Sequence, residues 1–206
     1  MSALLNRKNH PLKHPDQRVG VFIDVQNMYY SAKNLFGAKV NFGNIVREAT
    51  AGRKLIRAIA YVVSTEGKEE QPFFDALYNQ GIETKDKPLQ IFYGGEKKAD
   101  WDVGIAVDAI RLCPSLDAIV LVSGDGDYLP LIEYLRNQGK QVEVMAFGNT
   151  ASGKLKEEAD DFVDLSNDKA RFLIPNKMSG VKPGVRRIAR AFKPKENDGL
   201  DFGDEV

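Results

Sequence analysis

The chain has 206 residues, of which 43% are hydrophobic and 28% charged, as is typical of a soluble globular protein with one sizeable core. Its formal net charge is zero, so the overall charge balance gives no indication of a polyanionic partner. A single cysteine excludes an intrachain disulfide and a cysteine metal cluster, and no segment has the pattern of a signal peptide or membrane span, so we expect a cytoplasmic protein with no membrane partner.

Apolar segments typical of strands alternate along the chain with segments of helical periodicity. The predicted strands are residues 19–24, 55–63, 89–93, 118–123 and 141–147, with residues 162–165 as a candidate sixth. The predicted helices are residues 28–36, 42–51, 69–80, 101–112, 128–137 and 151–159. This alternation predicts an α/β fold with a mostly parallel, five- or six-stranded sheet that is covered by helices on both faces.

The two ends of the chain lack this periodicity. We expect residues 1–18 to be a flexible arm, residues 19–174 to form one domain, and residues 175–206 to be a flexible tail. Residues 177–195 carry seven Lys or Arg and no acid, whereas residues 196–206 carry five acids and no base. The basic stretch is either a solvated extension or a segment that contacts the phosphates of a nucleic acid.

Three groups of acidic residues follow an apolar strand or open an apolar helix. Asp24 ends the first strand, Asp100 and Asp102 open the helix at 101–112, and Asp125 and Asp127 follow the fourth strand. Carboxylates held close together at the edge of a core repel one another and lose solvation. Oxygen ligands of this kind suit Mg²⁺ or Mn²⁺. The pattern therefore predicts a divalent metal site and metal-dependent cleavage of phosphodiesters.

The predicted topology indicates which of these acids meet. If the strand order is 3-2-1-4-5, the first and fourth strands are neighbours where the order reverses, and Asp24 faces Asp125 and Asp127 across a crevice. The helix at 101–112 precedes the fourth strand. We expect its N-terminus, with Asp102, to point away from the crevice unless the loop at 93–99 folds back over it.

Each acid also has a purely structural explanation. Asp127 could cap the helix at 128–137, and Asp100 or Asp102 could cap the helix at 101–112. Asp24 could form an Asx turn or cap the helix that follows it. Asp108 lies about 120° around its helix from Asp102, so we expect a structural partner for it rather than a share in the same metal.

Three aromatic residues lie near the acidic groups in the sequence. Trp101, Tyr29 and Tyr30 could stack on nucleic-acid bases, although core or rim packing is the more common role of such residues. The glycine-rich SGDGD segment lacks the lysine of a nucleotide-triphosphate loop, which argues against that function.

Three segments resemble the NYN-domain family, of the LabA-like type within the PIN-like nuclease fold. They are VFIDVQNMYY, KKADWDVGIAVDAI and IVLVSGDGDYLPLIEYLRNQGKQVEVMAFG, and the likeness spans about residues 19–165. The resemblance implies a three-layer PIN-like, Rossmann-like fold with the strand order 3-2-1-4-5. It also implies a Mg²⁺ or Mn²⁺ site that cuts RNA.

Carried over by position, the catalytic and metal-binding set implied by the resemblance is Asp24, Asp102, Asp125 and Asp127, with Asn27 as a supporting polar group. The residues before Asp102 depart from the glycine–valine pair that is usual in the family. Either Asp100 or Asp102 could therefore face the metal.

The favoured hypothesis is a ribonuclease that acts on single-stranded RNA, with Asn27 holding Asp24 in place by hydrogen bonding. One alternative is a non-catalytic RNA-binding or protein-interaction module on the same fold. Another is a phosphohydrolase similar to haloacid dehalogenases, with Asp24 as nucleophile, although Gln26 stands where such enzymes carry a second Asp. The sequence leaves the oligomeric state open.

Overall fold

The computed structural model of the chain describes residues 12–64, 71–88, 90–91, 97–98 and 100–175. The predictions for residues 1–11 and for the basic and acidic tail lie outside the described residues, apart from Pro175. In chain order the strands are β1 (Arg18–Asp24), β2 (Lys39–Val40), β3 (Lys54–Ser64), β4 (Glu83–Pro88), β5 (Gln90–Ile91), β6 (Lys97–Lys98), β7 (Ala118–Val122), β8 (Gln141–Ala146), β9 (Asp161–Asp164) and β10 (Leu173–Ile174). The helices are α1 (Val25–Phe36), α2 (Phe42–Thr50), α3 (Gln71–Tyr78), α4 (Asp102–Leu112), α5 (Leu129–Asn137), α6 (Gly153–Glu158) and α7 (Lys169–Phe172).

The centre of the fold is a six-stranded parallel sheet in the order β4-β3-β1-β7-β8-β9. If only the six strands of this sheet are counted, in chain order, their spatial order is 3-2-1-4-5-6. This confirms the predicted strand order and the candidate sixth strand. Two short antiparallel pairs, β10 with β2 and β5 with β6, lie apart from it.

The prediction of the third strand at residues 89–93 was wrong. The third strand of the sheet is β4, whose sequence ETKDKP is mostly polar, and residues 90–91 belong instead to a hairpin with residues 97–98. The apolar run at 89–93 therefore marks the wrong segment. A strand at the edge of a sheet is half-exposed and commonly carries Lys and Pro, so it lacks the apolar run of the central strands.

Helices cover both faces of the sheet and give two separate hydrophobic cores. One core packs α1, α2 and α3 on the face that carries Val21 and Ile23 of β1. The other packs α4, α5 and α6 on the face that carries Phe22. The alternation of side chains along β1 explains the division, since successive residues of a strand point to opposite faces. The result is a three-layer fold.

A buried ionic network lies toward the amino ends of the strands. Arg53, before β3, contacts Glu143 of β8 with its Nη1 2.5 Å from Oε1, and both side chains are almost wholly buried. Lys13 adds ion pairs of 3.1 Å to Glu143 and to Asp161. Among the described helices, none is both long enough and apolar enough to cross a bilayer.

Candidate metal centre

The candidate centre lies at the carboxyl ends of β1 and β7, the central pair of the sheet. Ile23 of β1 pairs with Val122 of β7, Asp24 is the last residue of β1, and β7 continues into the Ser123–Gly124–Asp125 turn. The strands that follow β1 extend the sheet to one side and those that follow β7 extend it to the other. This is a topological switch point, where parallel sheets leave a crevice for ligands.

Asp24 is buried at the base of this crevice, with 8% of its surface exposed. Its Oδ1 accepts a hydrogen bond of 3.0 Å from the backbone N–H of Asn27 and so caps α1, which starts three residues earlier than predicted. Its Oδ2 accepts from the hydroxyls of Ser123 (3.4 Å) and Tyr128 (3.3 Å). Burial, with smaller contributions from the charges of Asp102 and Asp125, raises the pKa of Asp24 to about 6.

The turn after β7 is held by hydrogen bonds on both of its sides. The Asn27 side-chain oxygen accepts from the Gly124 N–H at 3.0 Å, and the Gly124 carbonyl accepts from the Ser152 N–H at 2.9 Å. A Cβ at Gly124 would lie 3.0 Å from the backbone of Ala151, so glycine allows this close approach. Within the turn, Asp125 Oδ1 accepts from the backbone N–H of Asp127 at 3.0 Å.

Asp102 reaches the crevice from the first turn of α4. The prediction that the N-terminus of this helix points away unless the loop at 93–99 folds back was wrong in its premise, because a helix that connects parallel strands runs antiparallel to them. Its N-terminus therefore lies at the carboxyl edge of the sheet. The carboxylate of Asp102 accepts a hydrogen bond of 3.0 Å from the hydroxyl of Tyr128.

Trp101 fixes the start of α4 against the sheet. Its ring N–H donates to the Val62 carbonyl at 2.8 Å, and its ring packs edge-on against Tyr61 at 5.3 Å between centroids. A Cβ at Gly104 would lie 2.5 Å from the Trp101 ring, so only glycine leaves room for it. This half-buried tryptophan is a structural anchor for the neighbouring Asp102.

Three carboxylates converge at the mouth of the crevice. Asp102, Asp125 and Asp127 each offer an oxygen, and these oxygens all lie within 4.8 Å of one another. Burial raises the pKa of Asp102, and the charges of Asp125, Asp100 and Asp127 act in the same direction. Crowded carboxylate oxygens of this kind fit a hard divalent cation such as Mg²⁺ or Mn²⁺, which would offset their repulsion.

Tyr128 links the buried and the converging acids, and the sequence reasoning did not identify it. The hydroxyl is 3.3 Å from Asp24 and 3.0 Å from Asp102, and the side chain is 2% exposed. Burial and the two carboxylate charges raise its pKa, which keeps it a proton donor. The only available signal was its position directly after the two glycine-flanked acids of SGDGDY.

The other predicted residues divide into neighbours of the cluster and structural residues. Asp100 is exposed, and it is Asp102 that belongs to the converging set. Asp108 accepts hydrogen bonds from Tyr61 (2.8 Å) and Lys85 (2.6 Å), which confirms a structural partner. Asn27 was expected to hold Asp24 by hydrogen bonding, and it does so through its backbone N–H, while its side-chain oxygen accepts from the Gly124 N–H.

Comparison with known proteins gives consistent matches. Residues 18–166 match the NYN domain. The chain is 27% identical over 165 residues to the low amplitude and bright protein LabA of Synechococcus elongatus, covering 76% of this chain and 87% of that protein. It is 28% identical over 160 residues to an uncharacterized protein of Methanocaldococcus jannaschii, covering 74% of this chain and 57% of that protein.

A solved structure also resembles this fold. It is the crystal structure of a protein of unknown function from Vibrio parahaemolyticus, which matches with a TM-score of 0.71 and 31% identity. The match covers 80% of this chain and all of that one.

Proposed function

This chain belongs to the NYN-domain family, and from that premise we propose that it is a Mg²⁺- or Mn²⁺-dependent ribonuclease. The observation that carries the proposal is the convergence of Asp102, Asp125 and Asp127 within 4.8 Å. These three acids come from two segments, the start of α4 and the turn after β7. NYN domains are a PIN-like nuclease family, which supports RNA as the substrate.

In this proposal Asp102, Asp125 and Asp127 hold the cation, and Asp24 completes the acidic set from the base of the crevice. A divalent cation bound there would lower the pKa of an attacking water and neutralise charge on the scissile phosphate. Asp24 and Tyr128 orient Asp102, since the Tyr128 hydroxyl lies within hydrogen-bonding distance of both carboxylates. Asn27 positions the turn that carries Asp125 and Asp127 through its hydrogen bond with Gly124.

The geometry bears on the two alternatives. A nucleophilic Asp24, as in a phosphohydrolase similar to haloacid dehalogenases, would need open access to a phosphorus atom. Asp24 is instead 8% exposed, and both of its carboxylate oxygens accept hydrogen bonds. A non-catalytic RNA-binding module would have no need for crowded acids, which repel phosphate when no cation is bound.

The experiment is cleavage of labelled single-stranded RNA by the purified full chain, with Mn²⁺ and with a chelator. We expect cleavage only with Mn²⁺. Asp102→Asn should lower the cleavage rate at least about a hundredfold, because mutation even of residues that only hydrogen-bond to metal ligands typically lowers metal affinity or activity about ten- to a hundredfold.

Asp100→Asn is the matched control, since it removes an exposed acid two residues away and should leave cleavage close to wild type. Binding of RNA without any Mn²⁺-dependent cleavage would reject the enzyme in favour of the binding module. Cleavage that survives Asp102→Asn would reject this site.

A further inference from the structure

The outward face of α1 carries two exposed aromatic rings beside a lysine. Tyr29 and Tyr30 are 42% and 40% exposed, and their rings meet edge to face at 5.4 Å between centroids. The ammonium of Lys33 lies 5.3 Å from the centre of the Tyr29 ring and 3.4 Å from its hydroxyl. Exposed rings next to an ammonium group can stack on bases and contact phosphate at the same place.

This face borders the candidate metal centre. Asp24 caps α1, and Asn27, one helical turn before Tyr30, holds the turn that carries Asp125. Residues three apart on a helix are neighbours on its surface, about 5–6 Å apart. The next residue, Ser31, lies 3.0 Å from the Thr150 hydroxyl in the loop after β8. Tyr30 therefore lies one helical turn from the residue that holds the acidic turn, and Tyr29 contacts the Tyr30 ring.

The aromatic residues near the centre differ in what they contact. The half-buried Trp101 ring contacts Tyr61, packs over Gly104 and donates to the Val62 carbonyl, and the Lys87 ammonium lies 4.8 Å from its centre, so these contacts give it a structural role. Tyr29 and Tyr30 instead present about two fifths of their surface to solvent. An exposed aromatic pair at the rim of a site is more consistent with ligand contact than with core packing.

The charge of α1 complements a phosphate backbone. The helix has no acidic residue, and Lys33 faces outward along it. Lys33 therefore offers a positive charge on the exposed side of α1, and a polyanion next to the acidic cluster would need such compensation.

We propose that Tyr29, Tyr30 and Lys33 form a stacking track that holds single-stranded RNA beside the acidic cluster. The inference rests on the proposed function for its choice of RNA, and it adds the residues that would hold the strand. Bases in a duplex are already stacked on one another, whereas unpaired bases are free to stack on protein rings. The track therefore selects unpaired RNA.

The test is the affinity of the full chain for a short labelled RNA, measured by fluorescence anisotropy with a chelator so that no cleavage occurs. Tyr29→Ala and Tyr30→Ala should each weaken the binding of single strands about tenfold, the usual range for the loss of one stacked base. Tyr29→Phe and Tyr30→Phe keep the ring and should bind as wild type does.

Tyr134→Ala on α5 is the matched control, since Tyr134 is also 42% exposed and should not affect affinity. An oligomer of the same length with abasic sugars should bind weakly to wild type and lose no affinity in the Ala variants. A duplex of the same sequence should behave like the abasic strand.

Equal affinity of the Ala variants and wild type for the single strand would overturn the inference. So would equal losses for the abasic and the normal strand, because this would mean that the rings do not contact bases. Ala variants that change the oligomeric state and leave RNA affinity unchanged would assign this face to a second copy of the chain.

The cleavage assay on wild type separates this inference from the proposed function. If wild type cleaves RNA and the Ala variants bind RNA as wild type does, the stacking track is rejected and the ribonuclease proposal stands. If the Ala variants bind RNA more weakly but wild type does not cleave it, the stacking track stands and the ribonuclease proposal is rejected.

Discussion

Replacement of Asp24 by Asn should stabilise the metal-free protein. Burial and neighbouring carboxylates raise the pKa of Asp24 from 3.8 to about 6. One pKa unit corresponds to about 1.4 kcal/mol, so the ionised carboxylate lowers the free energy of unfolding by about 3 kcal/mol near pH 8. Asn is as effective as Asp at the start of a helix, so the hydrogen bond from the Asn27 N–H should persist.

The sign of the effect depends on pH. Because the pKa of Asp24 is higher in the folded than in the unfolded chain, its destabilising effect is complete above pH 6 and fades as the pH falls toward the unfolded value of 3.8, below which the carboxyl is mostly protonated in both states. The advantage of Asp24→Asn should therefore be largest at pH 8 and nearly absent at pH 4. A protonated Asp24 and an Asn side chain are both neutral and similar in size, which makes the comparison direct.

The assay is urea unfolding with a chelator at both pH values, with the free energy of unfolding extrapolated to zero urea. At pH 8 a gain of about 3 kcal/mol corresponds to a rise in melting temperature of roughly 6–12 °C for a chain of this size. Asp164→Asn is the control. Burial alone would raise the pKa of Asp164, but hydrogen bonds from the Gly148 and Ser166 N–H groups lower it, so its removal should destabilise at pH 8. Loss of stability in Asp24→Asn at pH 8, or an equal gain at both pH values, would refute the reasoning.

Three further predictions concern the surrounding scaffold. Arg53→Met removes the more deeply buried of the two cations paired with Glu143, and Lys13 remains, so the free energy of unfolding should fall by up to about 3–5 kcal/mol in urea titrations. An unchanged value would contradict a paired buried network. Gly104→Ala places a Cβ 2.5 Å from the Trp101 ring and should displace the start of α4, which carries Asp102, so the Mn²⁺-dependent cleavage rate should fall. A wild-type rate would show that Trp101 does not position the start of α4. Asp108→Asn should cleave at the wild-type rate and lose no more than about 1 kcal/mol of stability, because the ion pair between Asp108 and Lys85 is partly exposed. Loss of cleavage would instead place Asp108 in the metal site.

The parts of the fold that follow from local pattern could be predicted from the sequence. Continuous apolar runs indicated β1, β7 and β8. These runs imply a parallel sheet, and a parallel sheet places Asp24 and Asp125 at the same edge. The edge strand β4 could not be found in this way. Because one face of β4 is exposed, its sequence has no apolar run, and the more hydrophobic residues 89–93 that follow it match the strand pattern better.

Side-chain contacts between distant segments could not be predicted. Tyr128 lies 104 residues from Asp24 and 26 from Asp102, and a hydroxyl that contacts both leaves no periodic signal. The role of Trp101 depends in the same way on a carbonyl of β3. The direction of α4, by contrast, could have been deduced, because crossover helices between parallel strands run antiparallel to them.

Mn²⁺ binding shows whether Asp102, Asp125 and Asp127 form one cation site. The electron paramagnetic resonance signal of free Mn²⁺ is titrated with wild type, Asp102→Asn, Asp125→Asn and the control Asp100→Asn. We predict saturable binding by wild type and by Asp100→Asn, and severe loss of binding in the other two variants. Absence of Mn²⁺ binding by wild type, or equal binding by all four proteins, would rule out a shared cation site at these three acids.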